Sequence, residues 1–400
     1  MVIVQKYGGS SVETIEKMQD IADCVIKKKQ EGYSVVLVVS AMGKTTNNLI
    51  NLTKQITDRP CKREMDAILA TGEQISTALL SMIFQEKGYE AISLMGFQAG
   101  IRTFGDHMKN KIATIEADRI KECLKAGKIV IVAGFQGINE NHDITTLGRG
   151  GSDTTAVAVA AMLECPCEIY TDVDGIYGVD PRLYPKAKKL DYIGYEEMVE
   201  LSSLGTKVME VRSVEIGQKY NVPIYVASSK TRSQGTLIKE YDDRMEKKSI
   251  TGLSADDNVL MITINNVFYS PENIAHIFSR FAEAGINVDM ISQTLPYNGY
   301  VSISFTSCQD DEVLASDVLM ELKRQMPGIE VQRNTDITKI SVVGIGMRNE
   351  PGVAYRMFKV FADHQINFKQ VTTSEISISY TINGKDKQRA VNAICEAFEL

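Results

Sequence analysis

The sequence has no excess of positive charge: 44 Lys and Arg against 51 Asp and Glu leave a formal net charge of -7. Nucleic acids and acidic membrane surfaces are held through a surplus of basic side chains, so neither class of partner is expected. No apolar run approaches the roughly 20 residues of a membrane helix, and the chain enters a strand at once instead of a leader segment, which points to the cytoplasm. Cysteine shows no repeated spacing. The seven (Cys24, Cys61, Cys123, Cys165, Cys167, Cys308, Cys395) are odd in number and scattered, as reduced thiols packed in cores would be. Cys165-Pro166-Cys167 is too tight for the usual zinc or redox pair, and the four histidines lie far apart in sequence, so no structural metal site is expected.

What is present is ordinary globular composition, 44% apolar and 24% charged, over 400 residues. That length exceeds what one core usually serves and implies two or three domains. The organising stretch comes first. Val2 to Tyr7 reads as a β-branched strand carrying Lys6, and it stops at Gly8-Gly9. Ser10 with Glu13 matches the Ser-x-x-Glu capping box of a helix start. Glycines admit close backbone approach, a helix start offers N–H groups and positive dipole, and Lys6 adds a full charge, which outlines an anion site. The alternative is an ordinary strand-to-helix turn with a solvated Lys.

Helical spacing of Ile15, Met18, Ile21, Ala22, Val25 and Ile26 follows, then an unbroken apolar run, Val35 to Val39, typical of a buried parallel strand. It ends in Ser40 to Asn47. Gly43-Lys44-Thr45 is not a P-loop, because Val38 stands where the first glycine is required. A long helical stretch contains Gly72-Glu73, where position alone favours a solvated helix carboxylate for Glu73, since helix surfaces are rich in Glu. Strands near 91–95 and 129–133 each lead into Gly-Phe-Gln, at Gly96 and Gly134. A second glycine turn, Gly148-Arg149-Gly150-Gly151-Ser152-Asp153, opens an Ala- and Val-rich helix to Leu163. Its Arg and Asp suit a charged group, although Asp153 and Thr154 as simple caps would also explain it. Ile169 to Asp172 ends another strand and leads into an acidic, turn-rich loop through Tyr177 and Arg182. Tyr225 to Ala227 close the sheet and Gly235 ends the unit. Strands alternating with helices imply a mostly parallel open sheet covered by helices on both faces.

From Lys239 to Lys248 the charge density marks a boundary. Beyond it the order strand, helix, strand, strand, helix occurs twice: from Leu260 through the helix 272–284 to Val301–Phe305, and from Ile340 through the helix 352–363 to Ile376–Tyr380. The second copy ends in its last helix, so the strand candidate Ser249 to Leu253 is expected to complete it, with copy one inserted in copy two. The expected domains are 1–242 and 243–400, copy one spanning about 258–335 and copy two about 246–257 plus 336–400.

Lys6-Tyr7-Gly8-Gly9-Ser10-Ser11, Ser40 with Thr46-Asn47, Gly72-Glu73, Gly134-Phe135-Gln136-Gly137, Gly148 to Asp153 and Thr171-Asp172-Val173-Asp174-Gly175 resemble the aspartate kinases of the amino-acid kinase family, in order and spacing. The two copies resemble that family's tandem ACT domains, each a ferredoxin-like βαββαβ unit. The resemblance implies phosphoryl transfer from ATP with Mg²⁺ to the β-carboxylate of L-aspartate, a step toward lysine, threonine and methionine. It implies Lys6 on the transferring phosphate, with Asp153 orienting the phosphate-binding groups or Lys6. It places Gly8, Gly9, Ser10, Ser11, Thr171, Asp172, Tyr177, Arg182 and Lys207 at the nucleotide. Ser40, Thr46, Glu73, Arg149, Gly150, Gly151 and Ser152 fall to aspartate, with Arg149 on the α-carboxylate and Glu73 on the α-ammonium. Mg²⁺ would travel with ATP, with no metal ligands of the chain's own. The ACT pair implies feedback by lysine, threonine or both, a homodimer through these domains and a possible dimer of dimers. The effector candidates are Met347, Gly352, Val353, Ala354, Asn367, Ser374 and Glu375; dimerisation alone is the plainer role.

An aspartate β-carboxylate is ionised at neutral pH, so the reaction needs positioning and charge neutralisation, not a general base. Two departures from the family stand out: Glu210-Val211 where relatives carry His-Pro, and Pro271-Glu272 where copy one's Pro-Gly is expected. Another amino-acid kinase, acting on glutamate or acetylglutamate, is the competing enzyme, and a catalytically silent sensor the competing class. A dehydrogenase fusion is not expected at this length.

Overall fold

A computed structural model describes residues 1–206, 208–231, 233–241 and 248–400. The chain forms two compact units, one of Met1–Ile176, Lys189–Ser202 and Lys207–Asp243, the other of Tyr177–Lys188, Ser203–Thr206 and Arg244–Leu400. The expected boundary at 242/243 and Lys207 lie outside the described residues.

The first unit runs β1 (Val2–Tyr7), α1 (Ile15–Gln30), β2 (Ser34–Val39), α2 (Thr45–Lys54), α3 (Lys62–Leu69), α4 (Thr71–Glu86) and β3 (Ala91–Leu94). It continues through β4 (Ile101–Phe104), β5 (Lys111–Ile115), α5 (Asp118–Lys125), β6 (Ile129–Ala133), β7 (Gln136–Ile138), β8 (Ile144–Thr146) and α6 (Gly151–Met162). It closes with β9 (Cys167–Thr171), β10 (Tyr192–Gly194), α7 (Tyr195–Ser203), α8 (Val211–Tyr220), β11 (Ile224–Ser228) and β12 (Thr236–Lys239).

Eight strands make one sheet in the order β10-β12-β11-β9-β1-β2-β6-β3. The neighbours pair in parallel except β11 with β12. Its centre is buried on both faces, which is why Val35 to Val39 and Ile129 to Ala133 read as continuous apolar runs without alternation. Chain order reverses at β1: β2 and then β6 lie on one side, β9 and β11 on the other. Because Tyr7 pairs with both Val39 and Tyr170, and Val39 with Ala133, the loops leaving these strands start level at one edge. Open α/β sheets bind ligands at such a reversal.

Four features depart from the sequence reading. Helix α1 is capped by Thr14, whose side chain accepts from the Lys17 N–H, not by a Ser10/Glu13 box. After Gly9 the chain first makes a turn in which the Ser11 and Val12 N–H groups both donate to the Gly8 carbonyl, and Glu13 pairs instead with Lys17 at 2.6 Å. The sheet does not end with β11, since β12 follows Gly235 and β10 lies beyond it. A separate small sheet, β5-β4-β7-β8, has strands as short as three residues, too short to show a period. Finally, the helical stretch Lys62–Glu86 is long and apolar enough to cross a membrane by length and composition, yet half of its most apolar window is buried. Asp66 and Glu73 point into that protein interior, as in a core helix. All seven cysteines are free, and core packing holds for Cys165, Cys167 and Cys395, whereas Cys24 and Cys61 are exposed.

The second unit holds β13 (Gly252–Asp256), β14 (Val259–Phe268), α9 (Pro271–Glu283), β15 (Asp289–Gln293), β16 (Tyr300–Cys308), α10 (Glu312–Gln325) and β17 (Glu330–Asn334). Then come β18 (Ile337–Val343), α11 (Val353–Asp363), β19 (Phe368–Thr373), β20 (Ser377–Asn383) and α12 (Lys387–Phe398). They form two ferredoxin-like sheets of matching order, β15-β16-β14-β17 and β19-β20-β18-β13. Strand β13 pairs antiparallel with β18 (Ser254 with Ser341), so the chain leaves the second sheet, builds the first and returns. Each sheet covers one face with its own helices: Phe281 and Phe305 meet edge to face in one core, Phe361 and Tyr380 in the other.

Candidate active site

Lys6 is the fifth residue of β1, buried in the middle of the sheet, and Asp153 lies in the first turn of α6. Lys6 Nζ is 2.7 Å from Asp153 Oδ1, and about nine-tenths of the Lys6 side chain is shielded from solvent. The contact is an ion pair without good hydrogen-bond angles, for that oxygen accepts no hydrogen bond among the described residues. The two glycine turns of the sequence thus meet over the end of β1. Helix α6 starts at Gly150, whose φ of +65° favours glycine and whose side-chain position is already filled by Glu210. No side chain caps that start; the Gly151 and Asp153 N–H groups donate to the Gly148 and Gly150 carbonyls (3.1 and 3.0 Å), the Ser152 N–H has no acceptor among the described residues, and Asp153 serves Lys6 instead of the helix end.

Gly9 is required by contact: a β-carbon there would lie 2.8 Å from the Ala41 carbonyl oxygen. The Gly43 N–H donates to Gly9 O (3.0 Å), joining the loop after β1 to the loop after β2. Gly8 departs from the expectation, because its N–H is taken by the Tyr170 carbonyl at 3.2 Å. The Gly9 and Ser10 N–H groups have no acceptor among the described residues. Ser11 donates to Ser229 Oγ (2.8 Å) and the Ser229 N–H to Thr171 O (3.0 Å), so the ends of β1, β9 and β11 are tied together. Thr171 Oγ1 donates to Asp172 at 3.0 Å, and Asp172 is exposed.

Opposite these, Glu73 in the first turn of α4 is 3% exposed. Its Oε1 accepts from the Ala41 N–H at 3.0 Å, whereas Oε2 has no partner. Burial pushes its carboxyl up from the ordinary 4.5 to about 7, against the pull of that N–H. A buried carboxylate with one open oxygen is a receptor for a cation, not the solvated carboxylate its helix position alone suggested. Ser40, at the end of β2, is half-buried with its N–H on Tyr7 O (3.2 Å), and Thr46 is half-buried in the first turn of α2. Arg149 is exposed, with no ion-pair partner among the described residues, while Gly151 and Ser152 are buried.

Two expected nucleotide residues, Tyr177 and Arg182, fall in the second unit, where Asp180 holds the Arg182 guanidinium at 2.6 Å. Among the effector candidates, Gly352 is the left-handed residue before α11, with Val353 buried and Met347 partly so. Ala354, Asn367, Ser374 and Glu375 are exposed, Glu375 within 3.1 Å of Arg348. Copy one differs at the same place, since Ser270 caps α9 by accepting from the Asn273 N–H at 3.1 Å. No group of three or more His, Cys, Asp or Glu side chains suited to a metal occurs among the described residues.

Sequence reasoning missed the residues that support this site. Asp66, completely buried in α3, accepts from His107, the Met108 N–H and Thr146. Arg212 of α8 holds the carbonyls of Asn110 and Leu147. The one visible signal was an acid inside the apolar run Met65-Asp66-Ala67-Ile68-Leu69.

The amino acid kinase family matches residues 1–228 and the ACT domain residues 340–398. An aspartokinase of Geobacillus stearothermophilus is 47% identical over 400 residues, covering all of this chain and 97% of the relative. Aspartokinase 2 of Bacillus subtilis is 46% identical, covering all of this chain and 98% of the relative. Among solved structures, the aspartate kinase of Synechocystis is 38% identical with a TM-score of 0.56, covering all of this chain and 69% of that one. Escherichia coli aspartokinase III, in complex with aspartate and ADP, shares the fold at a TM-score of 0.83 and 23% identity, over the full length of both chains.

Proposed function

Because this chain belongs to the amino acid kinase family, and within it to the aspartokinases, its reaction is transfer of the ATP γ-phosphoryl to the β-carboxylate of L-aspartate, and we propose which residues carry it. The product is 4-phospho-L-aspartate, an intermediate of amino-acid biosynthesis, and the metal enters as Mg²⁺ on the nucleotide. The observation that carries the assignment is the Lys6–Asp153 pair at 2.7 Å over the strand-order reversal. Lys6 neutralises charge on the phosphoryl in flight, and Asp153 holds the ammonium at its post. The Gly9, Ser10 and Ser152 N–H groups, none with an acceptor among the described residues, supply further donors for phosphate oxygens. Thr171, Asp172 and Ser11 belong to the nucleotide side, with Tyr177, Arg182 and Lys207 assigned there by resemblance.

Aspartate is held by two charges. Glu73 takes the α-ammonium through its open Oε2, and Arg149, unengaged at its turn, takes the α-carboxylate as a two-pronged donor. Ser40, Thr46, Gly150, Gly151 and Ser152 line the space between. The acceptor carboxylate is already a nucleophile, so no base is needed.

The ACT copies take lysine, threonine or both as feedback effectors, at Met347, Gly352, Val353, Ala354, Asn367, Ser374 and Glu375, and join two chains in a cytoplasmic homodimer. Exposed Leu295 and Tyr297 on copy one, 89% and 79% accessible, support a protein-covered face there. The test of the activity is an ATP-dependent hydroxamate assay offering aspartate, glutamate and N-acetylglutamate in turn. Product from aspartate alone is expected; preferred reaction of either other acid would replace the assignment.

A further inference from the structure

We infer that Asp66 is a positioning residue for aspartate recognition, acting through the turn that carries Arg149. The inference rests on reading Glu73 and Arg149 as the pair that holds the substrate's two α-groups. Asp66 is fully buried in α3, and its carboxylate gathers donors from two distant segments. Oδ2 accepts from His107 Nδ1 at 2.6 Å, Oδ1 accepts from the Met108 N–H at 3.1 Å, and Thr146 Oγ1 donates to Oδ1 at 2.5 Å.

Each partner leads to the Arg149 turn. Thr146 is the last residue of β8, three residues before Arg149, and its carbonyl accepts from the Asn110 N–H at 3.1 Å. The carbonyl of the same residue, Met108, stands 3.1 Å from where a Gly148 β-carbon would be. Arg212 closes the frame by donating to the carbonyls of Asn110 (3.2 Å) and Leu147. In the other direction, α3 continues through Ala70 into α4 and Glu73, and the Ala70 carbonyl accepts from Gln136 Nε2 at 2.9 Å. One buried carboxylate therefore couples the arm bearing the acidic receptor to the arm bearing the basic one. It sets the separation that an α-amino acid must match. Met108 itself adopts φ +73°, a conformation that a non-glycine residue keeps only when its surroundings hold it.

The test is steady-state kinetics on the full chain with Asp66→Asn, Arg149→Ala and the double variant. Asp66→Asn is expected to raise KM for aspartate about 10- to 100-fold while KM for ATP stays within about twofold, since a misplaced binding arm affects one substrate only. In the Arg149→Ala background the same change is expected to add less than about twofold, because the two residues act as one unit. A purely structural role would lower kcat through lost active enzyme and leave both KM values alone, or would add fully to Arg149→Ala; either result overturns the inference. Should Asp66→Asn not fold, His107→Ala removes one donor from the same carboxylate and must raise KM for aspartate selectively. If Arg149→Ala itself leaves KM for aspartate unchanged, the substrate reading fails. If it raises KM while Asp66→Asn is silent, only the positioning role fails.

Discussion

Glu73 shows how much chemistry one residue's surroundings can set. A carboxyl raised to about 7 by burial is half protonated near neutrality, and only its ionised form pairs with an α-ammonium. kcat/KM for aspartate should therefore fall about tenfold per pH unit below 7. Glu73→Gln should be slow at every pH and lack that inflection; an unchanged inflection in the variant would assign it elsewhere. The same shift bears on stability. Between pH 4.5 and 7 the unfolded carboxyl has lost its proton while the folded one keeps it, so the folded state binds more protons and stability falls as pH rises through that window. At pH 8 the loss amounts to about 3 kcal/mol. On going from about pH 5 to 8 in chemical denaturation, Glu73→Gln should thus gain stability relative to the native chain by that order. An equal loss in both proteins would contradict the burial argument. On helix position alone Glu73 read as a solvated carboxylate, because what distinguishes it is burial with one oxygen held by the Ala41 N–H, 32 residues away, and the other left without a partner.

At the scale of elements, the strand-to-turn units were legible where residue type leaves little freedom. The buried runs of β2 and β6 and the glycines before α6 could be read directly, since parallel central strands need apolar side chains on both faces and α6 needs a left-handed first residue. Helix α1 was misread at its start, because a capping pattern is local while the turn after Gly9 is imposed by the loop holding Ala41 and Gly43. The two caps make opposite predictions. Thr14→Ala should cost about 1 kcal/mol in thermal or denaturant unfolding, and Ser10→Ala no more than a few tenths; the reverse ranking would restore the Ser10 cap. Strands of three or four residues, β4, β7 and β8, were invisible for want of a period, and the Asp66 network because its partners lie 41 and 80 residues along the chain.

For the molecule as a whole, the internal repeat revealed two sheets of equal order, yet their helix starts differ: Ser270 satisfies α9, whereas Gly352 leaves α11 uncapped. Regulation by an amino acid is accordingly expected through copy two. Gly352→Ala, in a left-handed position with open space around it, should weaken inhibition by lysine or threonine while basal turnover persists. Flat titrations of the native enzyme with both amino acids would reduce the repeats to dimerisation. The central claim is that Lys6 and Asp153 together form the phosphoryl-transfer site, and phosphoryl transfer from ATP to aspartate in Lys6→Ala and Asp153→Asn tests it most directly, with folding checked by circular dichroism. The expected result is a turnover at least about 1,000-fold lower in Lys6→Ala and strongly reduced in Asp153→Asn, and near-native turnover in a folded Lys6→Ala would contradict it.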